Sequence, residues 1–143
     1  MHKPLMTLLF AMSLTTPVWA GSVTALPSDQ PVDVNGYQLA CTGIGDEAQH
    51  DPRWTAFPVR LEFADGNAQY LADVKASVFD ASNNELFKVS CDSAWVLVKL
   101  KPGKYRVVGD YRSFSKSANF TAPKKGQSRI IVRFSEVKGE GDN

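Results

Sequence analysis

Histidine and cysteine are scarce in this sequence, and it has no apolar run long enough for a membrane span. The 143 residues contain two histidines and two cysteines. The apolar stretch from Leu5 to Leu14 is too short to cross a bilayer, so we expect no membrane insertion of the processed protein. Basic and acidic residues nearly balance, with 16 Lys+Arg against 15 Asp+Glu. A chain without basic excess is a poor general binder of nucleic acid.

The first twenty residues have the features of a secretory signal peptide. A basic start at His2 and Lys3 precedes the apolar stretch, and Val18-Trp19-Ala20 closes it with small or apolar residues. We therefore expect residues 1–20 to be a signal peptide cleaved after Ala20. The mature protein would be periplasmic or secreted.

Cys41 and Cys91 are the only cysteines. An even number in an exported chain predicts a structural disulfide. The bridge would close a loop of roughly 50 residues and contribute about 4 kcal/mol on the loop-entropy model. The alternative is a pair of free or metal-binding thiols. It lacks zinc-ligand spacing, and only one histidine, His50, remains after processing.

Apolar and polar residues alternate with the period of a β-strand along most of the chain. In one segment, Val59, Leu61 and Phe63 alternate with polar neighbours. Strands are predicted at 35–41, 59–63, 72–78, 86–90, 95–100, 105–110, 115–121 and 129–134. Seven or eight short strands with regular turn signals and no convincing helix predict an all-β sandwich. Residues 35–136 form this domain, with 21–34 as a flexible leader and 137–143 as a disordered tail.

One turn has a distinctive form. In the stretch Trp95 to Val108, Pro102-Gly103 separates two apolar strands, and Tyr105 and Val107 follow at alternate positions. Proline presets the backbone for a type II turn, and glycine accepts the positive φ that this turn requires. Pro102, Gly103 and Tyr105 are therefore interpreted as a structural turn that joins two paired strands.

This stretch resembles the hairpin of carboxypeptidase regulatory-like domains and of collagen-adhesin B-type repeats. Tyr70 to Asp80 is similar to an earlier strand pair of those domains, and the resemblance covers roughly residues 59–134. Tyr37 to Gly45 resembles the opening of small exported proteobacterial proteins that carry the domain alone. The resemblance implies a seven- to eight-stranded transthyretin-like (Greek-key) β-sandwich, and a regulatory appendage rather than a catalytic domain.

No complete catalytic set is recognisable. The Gly-x-Ser-x-Gly elbow is absent, and a triad would depend on His50. This histidine lies in a loop with Asp46, Glu47 and Asp51, which leaves two interpretations. It is either a solvated loop histidine or the centre of a small hydrolase or metal-dependent enzyme. We predict no catalytic residue, no metal and no cofactor.

Two acidic clusters offer hard oxygen ligands of the kind that calcium prefers. The first is Asp46, Glu47 and Asp51, and the second lies in the turn at Asp80, Asn83, Asn84 and Glu85. Neither has EF-hand spacing, and Asp and Asn commonly cap turns through their own backbone. Weak calcium binding therefore stays open beside the capping interpretation.

The Thr42 to Trp54 loop is the predicted contact surface, because long loops without a strand role are often functional. The predicted binding residues are Asp46, Glu47, His50, Asp51, Arg53 and Trp54. Aromatic residues that could stack on a sugar are Trp54, Phe57, Trp95, Tyr111 and Phe114. Most aromatic residues of a sandwich lie in the core, and Trp54 is the strongest candidate among these five for an exposed one. The function expected is an accessory module that binds an envelope protein or glycan, with a structural or adhesive unit as the alternative.

Overall fold

A computed structural model describes residue 4 and residues 22–138, and this part of the chain is built mainly of strands. The ten strands are β1 (Thr24–Ala25), β2 (Val32–Val34), β3 (Tyr37–Thr42), β4 (Val59–Asp65), β5 (Val74–Phe79), β6 (Glu85–Cys91), β7 (Trp95–Val98), β8 (Gly103–Tyr111), β9 (Phe114–Ala122) and β10 (Ser128–Phe134). A short helix α1 (Asp46–Gln49) and a 3₁₀ helix (Pro52–Ala56) follow β3. Neither helix of the described ranges has the length and apolarity to cross a membrane. The predicted cleavage site after Ala20, and nearly all of the predicted signal peptide, lie outside the described residues.

The strands form two sheets of five. Sheet A has the order β1-β6-β5-β8-β9, and sheet B has the order β10-β4-β7-β3-β2. Neighbouring strands are antiparallel except for two parallel pairs, β1 with β6 and β4 with β10. The all-β prediction is confirmed, but the predicted count of seven to eight strands is wrong.

The two additional strands lie in the segment predicted as a flexible leader. Thr24 of β1 pairs with Val89 of β6, and Ser28 forms an isolated bridge with Cys41. Leu26 and Val34 are buried in the core. Such short strands carry no readable alternation, and tertiary contacts rather than local pattern hold them. Residues 22–34 are therefore part of the folded domain.

The core also extends past the predicted start of the tail. Val137 is buried, and its carbonyl accepts a hydrogen bond from the Gly66 N–H at 2.7 Å. The predicted boundary at residue 136 is thus too early. Residues 139–143 lie outside the described part.

One hydrophobic core is shared by the two sheets. Fully buried side chains from both sheets meet in it: Leu39, Val59, Leu61, Val78, Phe87, Val89, Val98, Val107 and Phe134. Gly109 of sheet A is closely packed, since a Cβ there would lie 2.9 Å from the Phe63 ring of sheet B. The predicted disulfide is confirmed: Cys41 of β3 and Cys91 of β6 are bonded across the sheets, with Cα atoms 5.6 Å apart.

The Pro102-Gly103 turn does not close a hairpin. The preceding strand β7 pairs with β3 and β4 in sheet B, whereas the following strand β8 pairs with β5 and β9 in sheet A. The turn therefore carries the chain from one sheet to the other, and Leu100 is buried at this crossing. Tyr105 packs partly against the core, as predicted, and its hydroxyl donates to the Lys101 carbonyl at 2.8 Å.

Candidate functional site

Residues 42–58 cover the outer face of sheet B. The strand β7 reads Trp-Val-Leu-Val and is buried at all four positions. Val96 and Val98 face the shared core, so Trp95 and Leu97 emerge on the opposite face, which needs a cover of its own. The 42–58 segment supplies that cover. The second cluster of buried residues consists of Ala40, Trp54, Phe57, Ala94, Trp95 and Leu97.

Specific contacts hold this segment in place. Gly43 has φ of +106°, and a Cβ at this position would lie 2.6 Å from the Trp95 ring, so only glycine fits. The Gln49 side chain donates to the Gly43 carbonyl at 2.9 Å. At the other end, the Gln127 amide donates to the carbonyls of Trp54 and Phe57 at 3.0 and 2.9 Å. The segment is therefore fastened to the sheet at both ends.

Trp54, the strongest candidate for an exposed aromatic residue, is buried. Its side chain is only 3% exposed and lies in the second cluster, with the Arg53 guanidinium 4.6 Å from the ring centroid. Phe57 and Trp95 are also buried, and Tyr111 and Phe114 pack against the main core. The aromatic residues considered for sugar stacking are thus used in packing, three of them on the outer face of sheet B and two against the main core.

The polar residues of the predicted binding loop are exposed but do not converge. His50 lies at the end of α1, and its Nδ1 is 2.8 Å from the Asp46 backbone carbonyl. Asp46 and Glu47 point to solvent from the same helical turn. Within residues 22–138, no group of three or more His, Cys, Asp or Glu residues is placed to hold a metal ion. Among residues 22–138, no carboxylate side chain makes a hydrogen bond with His50.

Asp51 and Arg53 form a local ion pair. The Arg53 guanidinium donates two hydrogen bonds to Asp51 Oδ2, from Nη2 at 2.7 Å and from Nε at 3.0 Å. The Arg53 backbone N–H also donates to Asp51 Oδ1, which caps the 3₁₀ helix. These hydrogen bonds lower the pKa of Asp51 and raise that of Arg53. Both charges are therefore neutralised by one another at the surface.

A groove of about 420 Å³ lies beside this loop, and we treat it as the candidate functional site. It is bounded by the 43–49 segment, by residues 70–72 and by the 92–94 turn. Ile44 is 66% exposed and Tyr70 is 48% exposed, and both line the groove. Among the described residues, the only other large exposed apolar side chain is Ile131, at 45%. Two of these three side chains thus meet at one concavity.

An ionic network centred on the buried Glu62 side chain fixes the Tyr70 wall. The Tyr70 hydroxyl donates to Glu62 Oε1 at 3.2 Å, and the Glu62 side chain is fully buried on β4. Arg129 on β10 donates to the other Glu62 oxygen, and this hydrogen bond raises the pKa of Arg129. The Arg60 guanidinium lies 4.2 Å from the Trp95 ring centroid, on the same face. Tyr70 is therefore positioned by the sheet rather than by its own loop.

Carboxylates surround the apolar wall. Asp92 lines the groove, and the Asp73 carboxylate lies beside it. The Asp73 carboxylate raises the pKa of Asp92, first by accepting a hydrogen bond from its protonated form and then through its negative charge. Ile44 also borders a second depression of about 250 Å³, whose lining includes Asp29, Glu47 and the paired Asp51 and Arg53. The exposed Ile44 side chain consequently stands between two acidic surfaces.

The groove was only partly accessible to sequence reasoning. It combines three chain segments that are far apart in sequence, and Tyr70 and Asp92 were not among the predicted binding residues. Ile44 lies between two glycines within the predicted loop, and an isolated apolar residue in a polar loop is a usable signal for a contact. The predicted loop contributes Gly43, Ile44, Gly45 and Gln49 to the groove, and none of these four is among the predicted binding residues.

No protein-family model and no curated protein matches the sequence. The candidate site is accordingly defined by the geometry of this chain alone.

Proposed function

We propose that the protein is an exported, non-enzymatic accessory module of the cell envelope that binds a segment of a partner protein in the groove beside Ile44. The observation that carries the proposal is the meeting of Ile44 and Tyr70, both exposed, at one concave site. Soluble proteins leave few large apolar side chains in water, and adjacent exposed ones commonly mark an interaction site. A protein partner is favoured over a glycan because Trp54 offers no stacking surface.

The chemistry of the groove specifies the partner segment. Its apolar lining, which includes Ile44, Tyr70 and Ala94, suits one aliphatic or aromatic side chain. Asp73 and Asp92 on one side and Glu47 on the other favour basic residues flanking that side chain. The partner is therefore a peptide segment with one large apolar residue between lysines or arginines.

Fold type and location belong to the same proposal. We assign the two-sheet architecture to the transthyretin-like sandwich type and to the carboxypeptidase regulatory-like family, on the resemblance of residues 59–134. Repeated crossing of the chain between sheets, as from β7 to β8, supports a Greek-key arrangement. Export is supported by the Cys41–Cys91 bond, because such bonds persist in oxidising compartments.

The test measures peptide binding by fluorescence polarisation. One labelled peptide pool carries a single Leu, Ile or Phe flanked by lysines, and a second pool carries the same residues flanked by glutamates. The lysine-flanked pool is expected to bind, and Ile44→Asp is expected to weaken its affinity by about tenfold or more, as for a central interface residue.

The matched control is Ile131→Asp, which places the same charge at the other exposed isoleucine, on β10. This variant is expected to keep the parent affinity. Equal binding of both pools, an equal loss in both variants, or no binding of either pool would each refute the proposed function.

A further inference from the structure

A second concave site lies on sheet A, and it has a different chemistry. A cleft of about 530 Å³ is lined by residues of β8 and β9 and by the turn after β5. Lys104 and Arg106 are two positions apart on β8, so their side chains leave the same face of the sheet. Their direct cross-strand neighbours on β9 are Thr121 and Asn119. The four side chains thus form two neighbouring cross-strand pairs, Lys104 with Thr121 and Arg106 with Asn119, and each pair joins a cation to a neutral polar group.

Arg106 is held in place before any ligand arrives. Its Nη2 donates to Asn83 Oδ1 at 2.6 Å, and its guanidinium lies 4.4 Å from the Phe79 ring centroid. A guanidinium has five N–H donors, so donors remain for a ligand after the bond to Asn83. An arginine fixed by stacking loses less side-chain freedom when it binds a carboxylate.

The positive charge of the cleft is only partly offset from within, because two cations face one carboxylate. In the described part of the chain, Lys104 makes no ion pair within 4.0 Å. The one acidic lining residue is Asp80, whose carboxylate accepts from the backbone N–H groups of Ser82 and Asn84 at 3.0 and 2.9 Å. These bonds lower the pKa of Asp80. Its oxygens cap the turn, which agrees with one of the two interpretations of this cluster, and Asn83 Oδ1 accepts from Arg106.

We infer that this cleft binds a saccharide bearing a carboxylate. Arg106 and Lys104 hold the carboxylate, the first through a forked pair of N–H donors and the second as a point charge. Asn119 and Thr121, whose side chains make no hydrogen bond with other described residues, supply donors and acceptors for the sugar hydroxyls. The cleft volume lies in the usual range for small-molecule sites. This site is independent of the groove beside Ile44.

The experiment titrates the oxidised protein with trigalacturonate at low ionic strength, by calorimetry. Arg106→Gln and Lys104→Gln are each expected to weaken binding by about tenfold or more, since each removes a charge-assisted hydrogen bond. Asn119→Ala is expected to weaken binding less. Lys88→Gln is the control, because Lys88 lies on β6 of the same sheet but outside the cleft. It is expected to leave binding unchanged.

Maltotriose and inorganic phosphate complete the test. Maltotriose, which lacks the carboxylate, is expected not to bind, and phosphate is expected to compete poorly. If phosphate binds as well as trigalacturonate, the cleft is a simple anion site and the saccharide assignment fails. Absence of trigalacturonate binding, or an equal loss in Lys88→Gln, overturns the inference. Thermal unfolding of each variant shows whether it is folded. If Arg106→Gln does not fold, Lys104→Gln still tests the site, because Lys104 is at an exposed position.

Discussion

Opening the Cys41–Cys91 bond is expected to remove a large share of the stability of the fold. The bond joins β3 of sheet B to β6 of sheet A, with a sequence separation of 50. For a loop of about 50 residues, the loop-entropy relation gives about 14 cal/mol/K, or about 4 kcal/mol at 25 °C. Single domains are stable by only about 5–15 kcal/mol. The bond is therefore comparable with the whole margin between the folded and unfolded states.

The corresponding change in melting temperature follows from the size of the folded region. A domain of a little over 100 residues unfolds with an entropy of roughly 0.25 kcal/mol/K, so a loss of 4 kcal/mol lowers Tm by roughly 15 °C. The measurement is a circular dichroism melt with and without a phosphine reductant. A variant carrying Cys41→Ala and Cys91→Ala gives a second value. It also lacks two buried sulfur atoms, so reduced wild-type protein gives the cleaner comparison.

A fall in Tm of less than about 5 °C on complete reduction would refute this reasoning. It would mean that the shared core alone holds the two sheets, and that the unfolded chain is not usefully constrained by the bond. Urea unfolding provides an independent check. The reduced unfolded chain exposes more surface, so the dependence of the unfolding free energy on urea concentration is expected to become steeper.

Three further predictions concern residues 42–58 and the groove. Gly43→Ala is expected to lower the free energy of unfolding in urea by about 2 kcal/mol more than the control Gly45→Ala, because both glycines have positive φ but only Gly43 contacts an aromatic ring. Equal losses in the two variants would contradict the close contact between Gly43 and the Trp95 ring. Trp54→Ala is expected to cost about 3–5 kcal/mol as a buried residue, and a cost below about 1 kcal/mol would contradict its burial. The pKa of Asp92 is raised in the folded state, so folding loses stability as pH rises through it. Asp92→Asn is therefore expected to raise Tm near neutral pH and to change Tm little below pH 3.8, the ordinary pKa of an aspartate. The control Asp51→Asn removes a carboxylate with a lowered pKa, so it is expected to lower Tm near neutral pH and to change Tm little in acid. A change of the same sign near neutral pH in both variants would contradict the assignment.

Alternation, or for β7 a continuous apolar run between turn signals, was sufficient to locate eight of the ten strands, because each of those strands has at least one buried face. It could not assign strands to sheets. The apolar strand before Pro102 and the strand after it look like a hairpin locally, yet β7 and β8 lie in different sheets. A turn fixes the direction of the chain only over a few residues, whereas pairing is decided by which apolar faces meet.

The sequence contains a pattern that indicates the burial of Trp54. Trp95 to Val98 is apolar at four successive positions, and a strand of that kind is buried on both faces. A cover over the second face was therefore required, and the neighbouring loop carries Trp54 and Phe57. The groove was beyond such reasoning, since Ile44, Tyr70 and Asp92 come together only through the tertiary fold. No local pattern specifies contacts between segments that are so distant in sequence.

The parallel pairing of β4 with β10 bears on how the chain can fold. β10 is the last strand of the chain's described part, and it pairs with β4 along seven successive positions, from Ser128 with Val59 to Phe134 with Asp65. Before β10 pairs with β4, this edge of β4 has no partner strand, and the core lacks Val132 and Phe134. Non-local parallel pairs form slowly because the intervening loop must be ordered first. A chain that emerges from its amino end therefore cannot complete the pairing of β4 until residue 134 has emerged.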